Sequence, residues 1–415
     1  MVSPTRSRLI PGRRGWLLCA LAVLAAALWA SFGDLSLSYG LASARKALRE
    51  RRANEAVSLL KRHADCGAAS AEWRFLLARA ERRAGMLSEA KRQLARAKAL
   101  GCGAKDVRRE ELLLGALSGR IKEVEPELVE LLAAGAGDEA AEDIYEAMAQ
   151  GYWTAYYASD ALRCLEFWSA WQPENLVPRL WIAELHERTA RPDKAIAAYR
   201  QVLELDPSRR DAQAKLGELL LKKLELDEAG EIFTRCLADS ADEPGALLGL
   251  AECRRRQGSD DQARELLYDA LTLELSGDQA ARATGMLGAL ALEERDYARA
   301  VGLLEKSVLL DATEPDSHAS LAAALAALGQ EELAAAERQK ARQASDLRTR
   351  YVRTTMKVLN DPANADLRCE AGLILLEQGS WSEAAEWLES ALAIDPEHRG
   401  AQDALAKLHK MSGSD

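Results

Sequence analysis

Residues 371–396 read AGLILLEQGSWSEAAEWLESALAIDP. A small residue, Gly372, stands twelve positions before Ala384, and Ala391 follows seven later. Small side chains at this spacing let two short antiparallel helices pack closely. The first is expected to end near Gln378, with Gly379 in the turn. Ser380 to Glu383 opens the second, and Asp395-Pro396 stops it.

The pattern recurs upstream. Taking Ala384 as a marker, its equivalents are Ala334, Ala300, Ala263, Ala229, Ala195, Ala161, Val124, Ala90 and Ala56. Most steps are 34 residues, two are 37, and the step from Ala334 to Ala384 is 50. Twelve positions before each marker stands Ala44, Ala78, Leu112, Ala149, Ala183, Gly217, Ala251, Gly288, Ala322 or Gly372. Two registers therefore agree on about ten units over 37–398.

On these residues the chain resembles the tetratricopeptide repeat family, whose unit is a helix–turn–helix of about 34 residues. The resemblance implies an all-α solenoid, with the first helix of each unit (helix A) lining a concave groove that binds a protein or peptide. Such arrays serve many unrelated functions. The expected organisation is a basic flank (1–14), a transmembrane helix or signal anchor (15–33), an array of about nine repeats (37–346), an inserted helix or linker (347–364), a last repeat (365–398), and a capping helix with a disordered tail (399–415).

Composition fits this architecture. The 415 residues are 48% hydrophobic and only 5% aromatic, and no sustained strand-like alternation is present. A linear stack buries such a sequence between neighbours rather than in one globule.

Arg6, Arg8, Arg13 and Arg14 precede an uncharged run from Gly15 to Gly33. As a helix this run reaches roughly 28 Å, enough to span a bilayer once. A cleaved signal peptide is the competing reading, because Ala25-Ala26-Ala27 offers a small-residue site. The apolar run continues past that site through Leu28, Trp29 and Phe32, which favours an uncleaved anchor. Arginines crowding the N-terminal flank predict a cytoplasmic N-terminus and repeats outside the cytoplasm; the basic residues from Arg45 to Arg52 support the opposite topology.

Charge is uneven along the chain. Residues 41–120 carry a net +10, whereas everything after 120 carries −23. The basic third reads either as a surface against anionic lipid headgroups or as ordinary solvated helix faces. The insertion carries Arg348, Arg350, Arg353 and Lys357, a basic patch suited to acidic repeats of the same chain.

Nine of the 22 aromatic residues fall between Tyr145 and Trp181. Most read as gap-filling core beside the 37-residue step. Trp153 instead falls by register on the groove face, where a rigid amphipathic ring suits a binding hot spot, with Tyr157 close by. Glu184, Glu218 and Glu252 repeat at one groove-facing place, and Arg188, Lys222 and Arg256 follow four residues after each. These are expected as self-satisfied helical ion pairs; if a ligand engages them instead, their alternating charge suits an extended polar peptide better than nucleic acid. The carboxylate clamp of the family's chaperone-binding members is not supported, since Leu180, Ala214 and the three glutamates stand where Lys and Asn are needed.

Signatures of chemistry are lacking. The seven cysteines form no CxxC pair, His186-Glu187 has Ala190 where a second zinc-binding histidine belongs, and Gly101-Cys102-Gly103 has no phosphate-loop context. The expectation is a non-enzymatic, membrane-anchored scaffold with no cofactor, metal, nucleic acid or small-molecule substrate. The alternatives are a cytoplasm-facing regulatory adaptor, or an assembly factor for an envelope enzyme or cytochrome complex.

Overall fold

The computed structural model describes residues 38–64, 70–135, 137–240 and 242–412. Among these the regular structure is helical and no strand occurs. The basic flank and the segment expected to cross a membrane lie outside the described residues. Among the described residues, no helix is long and apolar enough to cross one.

The chain divides into two compact units, with the boundary between Met148 and Ala149. The first contains α1 (38–49), α2 (Ala53–Ala64), α3 (Ala71–Arg83), α4 (Leu87–Ala99), α5 (Ala104–Gly115) and α6 (Ile121–Ala133). The boundary falls within α7 (Asp138–Thr154). The second unit continues with α8 (Ala158–Trp171), α9 (Leu176–Arg188), α10 (Pro192–Leu205), α11 (Arg210–Lys222), α12 (Leu226–Asp239), α13 (Pro244–Arg256) and α14 (Asp260–Leu271). It ends with α15 (Gly277–Glu293), α16 (Tyr297–Leu310), α17 (Pro315–Ala327), α18 (Glu331–Asn360), α19 (Ala365–Gln378), α20 (Trp381–Ile394) and α21 (Arg399–Ser412). Odd-numbered helices through α19 are helix A of a repeat, even-numbered ones through α20 are helix B, and α21 follows the last pair.

The register has a direct packing cause. All ten markers are buried, and so is the residue twelve positions before each. The reason is clearest at the glycines. A Cβ on Gly217 would come 2.7 Å from the Phe233 ring, one on Gly288 2.5 Å from Leu304, and one on Gly372 2.8 Å from Leu388. Each large residue lies four positions after its marker, on helix B, and sits directly on the backbone of helix A. Backbone conformation repeats as well. Arg51, Gly85, Gly119, Tyr156, Ala190, Leu224, Gly258, Arg295, Gly329 and Gly379, each five residues before a marker, all have positive φ. Every A–B turn thus reverses through one left-handed residue, a common way to end a helix.

The turn between α5 and α6 follows the same pattern, with non-helical backbone at Ser118 and Gly119 and Gly119 at φ 82°. The expected separate helix at 347–364 is instead the second half of α18, a continuous 30-residue helix B. No Gly or Pro interrupts Glu331 to Asn360, so nothing in the sequence breaks it; Asp361-Pro362 stops it. Its basic patch does engage acidic residues of its own chain: Arg348 lies 3.6 Å from Glu314 and Arg350 3.0 Å from Glu377. At the C-terminus, α21 runs through Ser412, so helix occupies most of the 399–415 span expected to hold a capping helix and a tail.

The first unit buries charge. Arg82, Glu110 and Asp143 are each at most 3% exposed. Arg82 pairs with Glu110, and Asp143 receives Arg83 at 2.6 Å, Arg79 at 2.9 Å and Arg82 at 3.3 Å. Burial alone would raise the Asp143 pKa, but Arg82, Arg83 and Arg79 outweigh it and hold the carboxyl well below its ordinary range. Several arginines of the basic third are therefore internal counter-ions, which leaves less of that charge for an outward-facing surface.

Candidate functional groove

Trp153 and Arg188 share one cavity of about 260 Å³ in the second unit. Helix α7 contributes Gln150 and Trp153, α8 contributes Ala161 and Leu165, and α9 contributes Trp181, Glu184, Leu185 and Arg188. The cavity lies between successive A helices over a floor of helix B, the place where the repeat register puts the groove.

Its wall is braced from behind. Trp168, fully buried, meets Trp181 edge to face at 6.1 Å and donates its indole N–H to Gln172 Oε1 at 2.9 Å. Gln172 Oε1 also accepts from Asn175 at 2.6 Å, and Asn175 caps α9 by accepting from the Val177 amide. Trp181 is thereby fixed while facing the cavity.

Arg188 does not pair with Glu184 as expected. Its guanidinium lies over the Trp153 ring, 5.1 Å from the centroid. Such a contact contributes about 0.5–1 kcal/mol at an exposed site. Partial desolvation at the rim pushes the Glu184 carboxyl up, with Arg188 opposing it.

The other two ladder positions differ again. Glu218 approaches Lys215 at 3.7 Å rather than Lys222. Glu252 is buried and hydrogen-bonds both Arg256 and Arg255, so only the third pair forms as the spacing predicts. Tyr157 sits at the N-cap of α8 and does not line the cavity. Trp153, Glu184 and Arg188 are thus brought together, while Glu218, Lys222, Glu252 and Arg256 belong to later repeats. Trp181 and Gln150 complete the site; Trp181 lay within the aromatic cluster, and Gln150 carries no signal of its own.

A larger cavity, about 520 Å³, opens between α16, α17 and α18. Its polar wall is internally paired: His318 Nδ1 lies 2.6 Å from Glu337, which also receives Lys340 at 2.7 Å.

Each of the two units is built of helical hairpins, the arrangement that the resemblance to tetratricopeptide repeats implies. One family model described as a tetratricopeptide repeat matches residues 182–244 and 350–399, and a second such model matches 220–283. No curated protein matches the chain in sequence. Among solved structures, it resembles PilW, titled a widely conserved type IV pilus biogenesis factor, with 21% identity and TM-score 0.42 over 49% of this chain and 91% of that one. It also resembles the APC/C hetero-tetramer Cut9–Hcn1, with 14% identity and TM-score 0.37 over 89% of this chain and 83% of that one. YrrB, titled a repeat protein with an unusual peptide-binding site, is 20% identical with TM-score 0.30, over 51% of this chain and all of that one.

Proposed function

We propose that the protein is a non-enzymatic interaction scaffold, anchored in a membrane through residues 15–33 with its repeats outside the cytoplasm, that holds a protein or peptide partner in the groove at Trp153. One observation carries the binding reading: a braced cavity flanked by two tryptophans, with a guanidinium over one ring instead of on a carboxylate. A cavity of this size suits one apolar side chain, and Arg188 and Glu184 at the rim suit the polar backbone or charges beside it. The anchor and topology rest on the uncharged run and on the arginines before it.

A photo-crosslinking residue at exposed Gln150, with a control at exposed Glu231 on α12, tests the groove in cells. A discrete product is expected at position 150 and not at 231. Trp153→Ala should weaken that partner's binding roughly thirtyfold, the loss of about 2 kcal/mol typical of a hot spot, with helix content unchanged. Identical products from both positions, or an unaffected product in the Ala variant, would refute the assignment. A compartment-sensitive reporter after Asp415 tests the topology; cytoplasmic signal would reverse it.

A further inference from the structure

Arg368, in the first turn of α19, is 2% exposed, and no carboxylate lies within ion-pair distance among the described residues. Its guanidinium donates to three backbone carbonyls: Pro362 at 3.1 Å, Ser390 at 3.4 Å and Ala155 at 2.9 Å. Ala155 lies 213 residues earlier, in the turn between α7 and α8. The same guanidinium stands 4.7 Å from the centroid of Tyr156, and that ring stacks on Trp387 of α20 at 4.5 Å. Trp387 is held in turn by Tyr351 of α18, whose hydroxyl accepts the indole N–H at 3.2 Å. From α8 to α20 each helix packs on the next, so this junction joins the beginning of the second unit to its end.

We propose that the second unit is a closed ring of helix pairs and that the Arg368–Tyr156–Trp387 junction is its latch, opening and reclosing while the repeats stay folded. The chemistry at the junction is that of a reversible contact. Pro362 and Ser390 belong to the same end of the ring as Arg368 and keep their hydrogen bonds when it opens. The Ala155 carbonyl and the Tyr156 ring are lost, and water replaces the carbonyl. Closure buries a cation among neutral acceptors, a desolvation cost that opposes the gain from stacking. Burial accordingly lowers the Arg368 pKa from its usual value and pushes the Tyr156 hydroxyl up to about 12.

The latch also shares a turn with the groove. The Tyr156 amide donates to the Trp153 carbonyl at 2.9 Å, so movement of the Tyr156 turn moves the Trp153 backbone. The consequence for partners rests on the groove reading above; closure itself does not. With both ends of the ring joined, the groove admits an extended chain segment, whereas a folded domain requires an open latch.

Fluorophores introduced through unnatural amino acids at exposed Ser159 and Glu389 place one dye near each side of the junction in the full chain. Single-molecule energy transfer should show a dominant high-transfer state and a minor low-transfer one. Tyr156→Gly is the clean variant, because φ at this position is 64° and glycine keeps the turn while removing the ring. It should raise the low-transfer fraction roughly tenfold, as expected for losing one stack and one cation–π contact. Arg368→Gln should act in the same direction. Low transfer in the native chain, or high transfer retained in Tyr156→Gly with unchanged circular dichroism, would overturn the proposal. Neither result depends on whether a partner crosslinks at Gln150.

Discussion

One substitution made at two glycines should have opposite signs. Gly249 and Gly302 both lie inside helices, α13 and α16, where alanine is favoured over glycine by about 1 kcal/mol. A Cβ on Gly302 meets nothing within 4 Å, so Gly302→Ala should simply stabilise by about that amount. A Cβ on Gly249 would lie 2.3 Å from Phe233 Cζ and 2.6 Å from both neighbouring ring carbons. The ring is fully buried, and the Gly217 backbone closes its other side, where a Cβ would meet it at 2.7 Å. With no room to shift, the overpacking cost should sit near the top of its usual range, about 3 kcal/mol. Gly249→Ala should therefore destabilise by about 2 kcal/mol net, leaving the two variants about 3 kcal/mol apart. Urea unfolding followed by circular dichroism measures both, and amide exchange in α11 to α13 localises the loss. Adding Phe233→Leu to Gly249→Ala should recover part of it. Equal stabilisation by both alanines would refute the reasoning, because it would mean that Phe233 does not lie between Gly217 and Gly249.

The first unit supplies two further predictions. Asp143→Asn leaves Arg79, Arg82 and Arg83 without their shared carboxylate and should cost about 3–5 kcal/mol in urea unfolding. The folded-state pKa of Asp143 is depressed, so its contribution is complete above the unfolded value of about 3.9 and fades below it. The gap between native and variant should hold from neutral pH to about pH 5 and close only under stronger acid. Glu81 has the opposite sign: it is 1% exposed, Lys61 approaches only to 3.6 Å, and burial raises its pKa. A raised carboxyl pKa costs stability at neutral pH, so Glu81→Gln should stabilise there, with the gain shrinking as pH falls towards the ordinary value of about 4.3. A gain that persists at pH 4 would show that the carboxylate is not the cause.

What was legible in the sequence was whatever repeats. Small residues at the markers and twelve positions earlier announce helices in close contact, and the structure supplies the reason in Phe233, Leu304 and Leu388 seated on facing backbone. The left-handed turn residue was legible only where it is glycine. Arg51, Tyr156, Ala190, Leu224 and Arg295 occupy the same conformation without a compositional signal, held there by the helices on either side. Spacing failed for Glu184 and Arg188 because a helical register fixes which side chains are neighbours within one helix, not what the next helix offers. Trp153, on a different helix, offered Arg188 an aromatic face.

Charge was the least legible property, and for a physical reason. A count along residues 41–120 treats every arginine as an outward charge, yet Arg79, Arg82 and Arg83 converge on Asp143, which lies beyond the basic third in sequence and inside the first unit in space. Arg368 is the converse, a single cation in the acidic part that finds no acid and settles on carbonyls and a ring. Both arrangements join residues 60 or more positions apart. A pattern with a period of 34 carries no information about such contacts, because each occurs once. Whatever distinguishes this array from others built on the same repeat is therefore to be sought in contacts that break the period, and those of Arg188 with Trp153 and of Arg368 with Ala155 and Tyr156 are such contacts in the second unit.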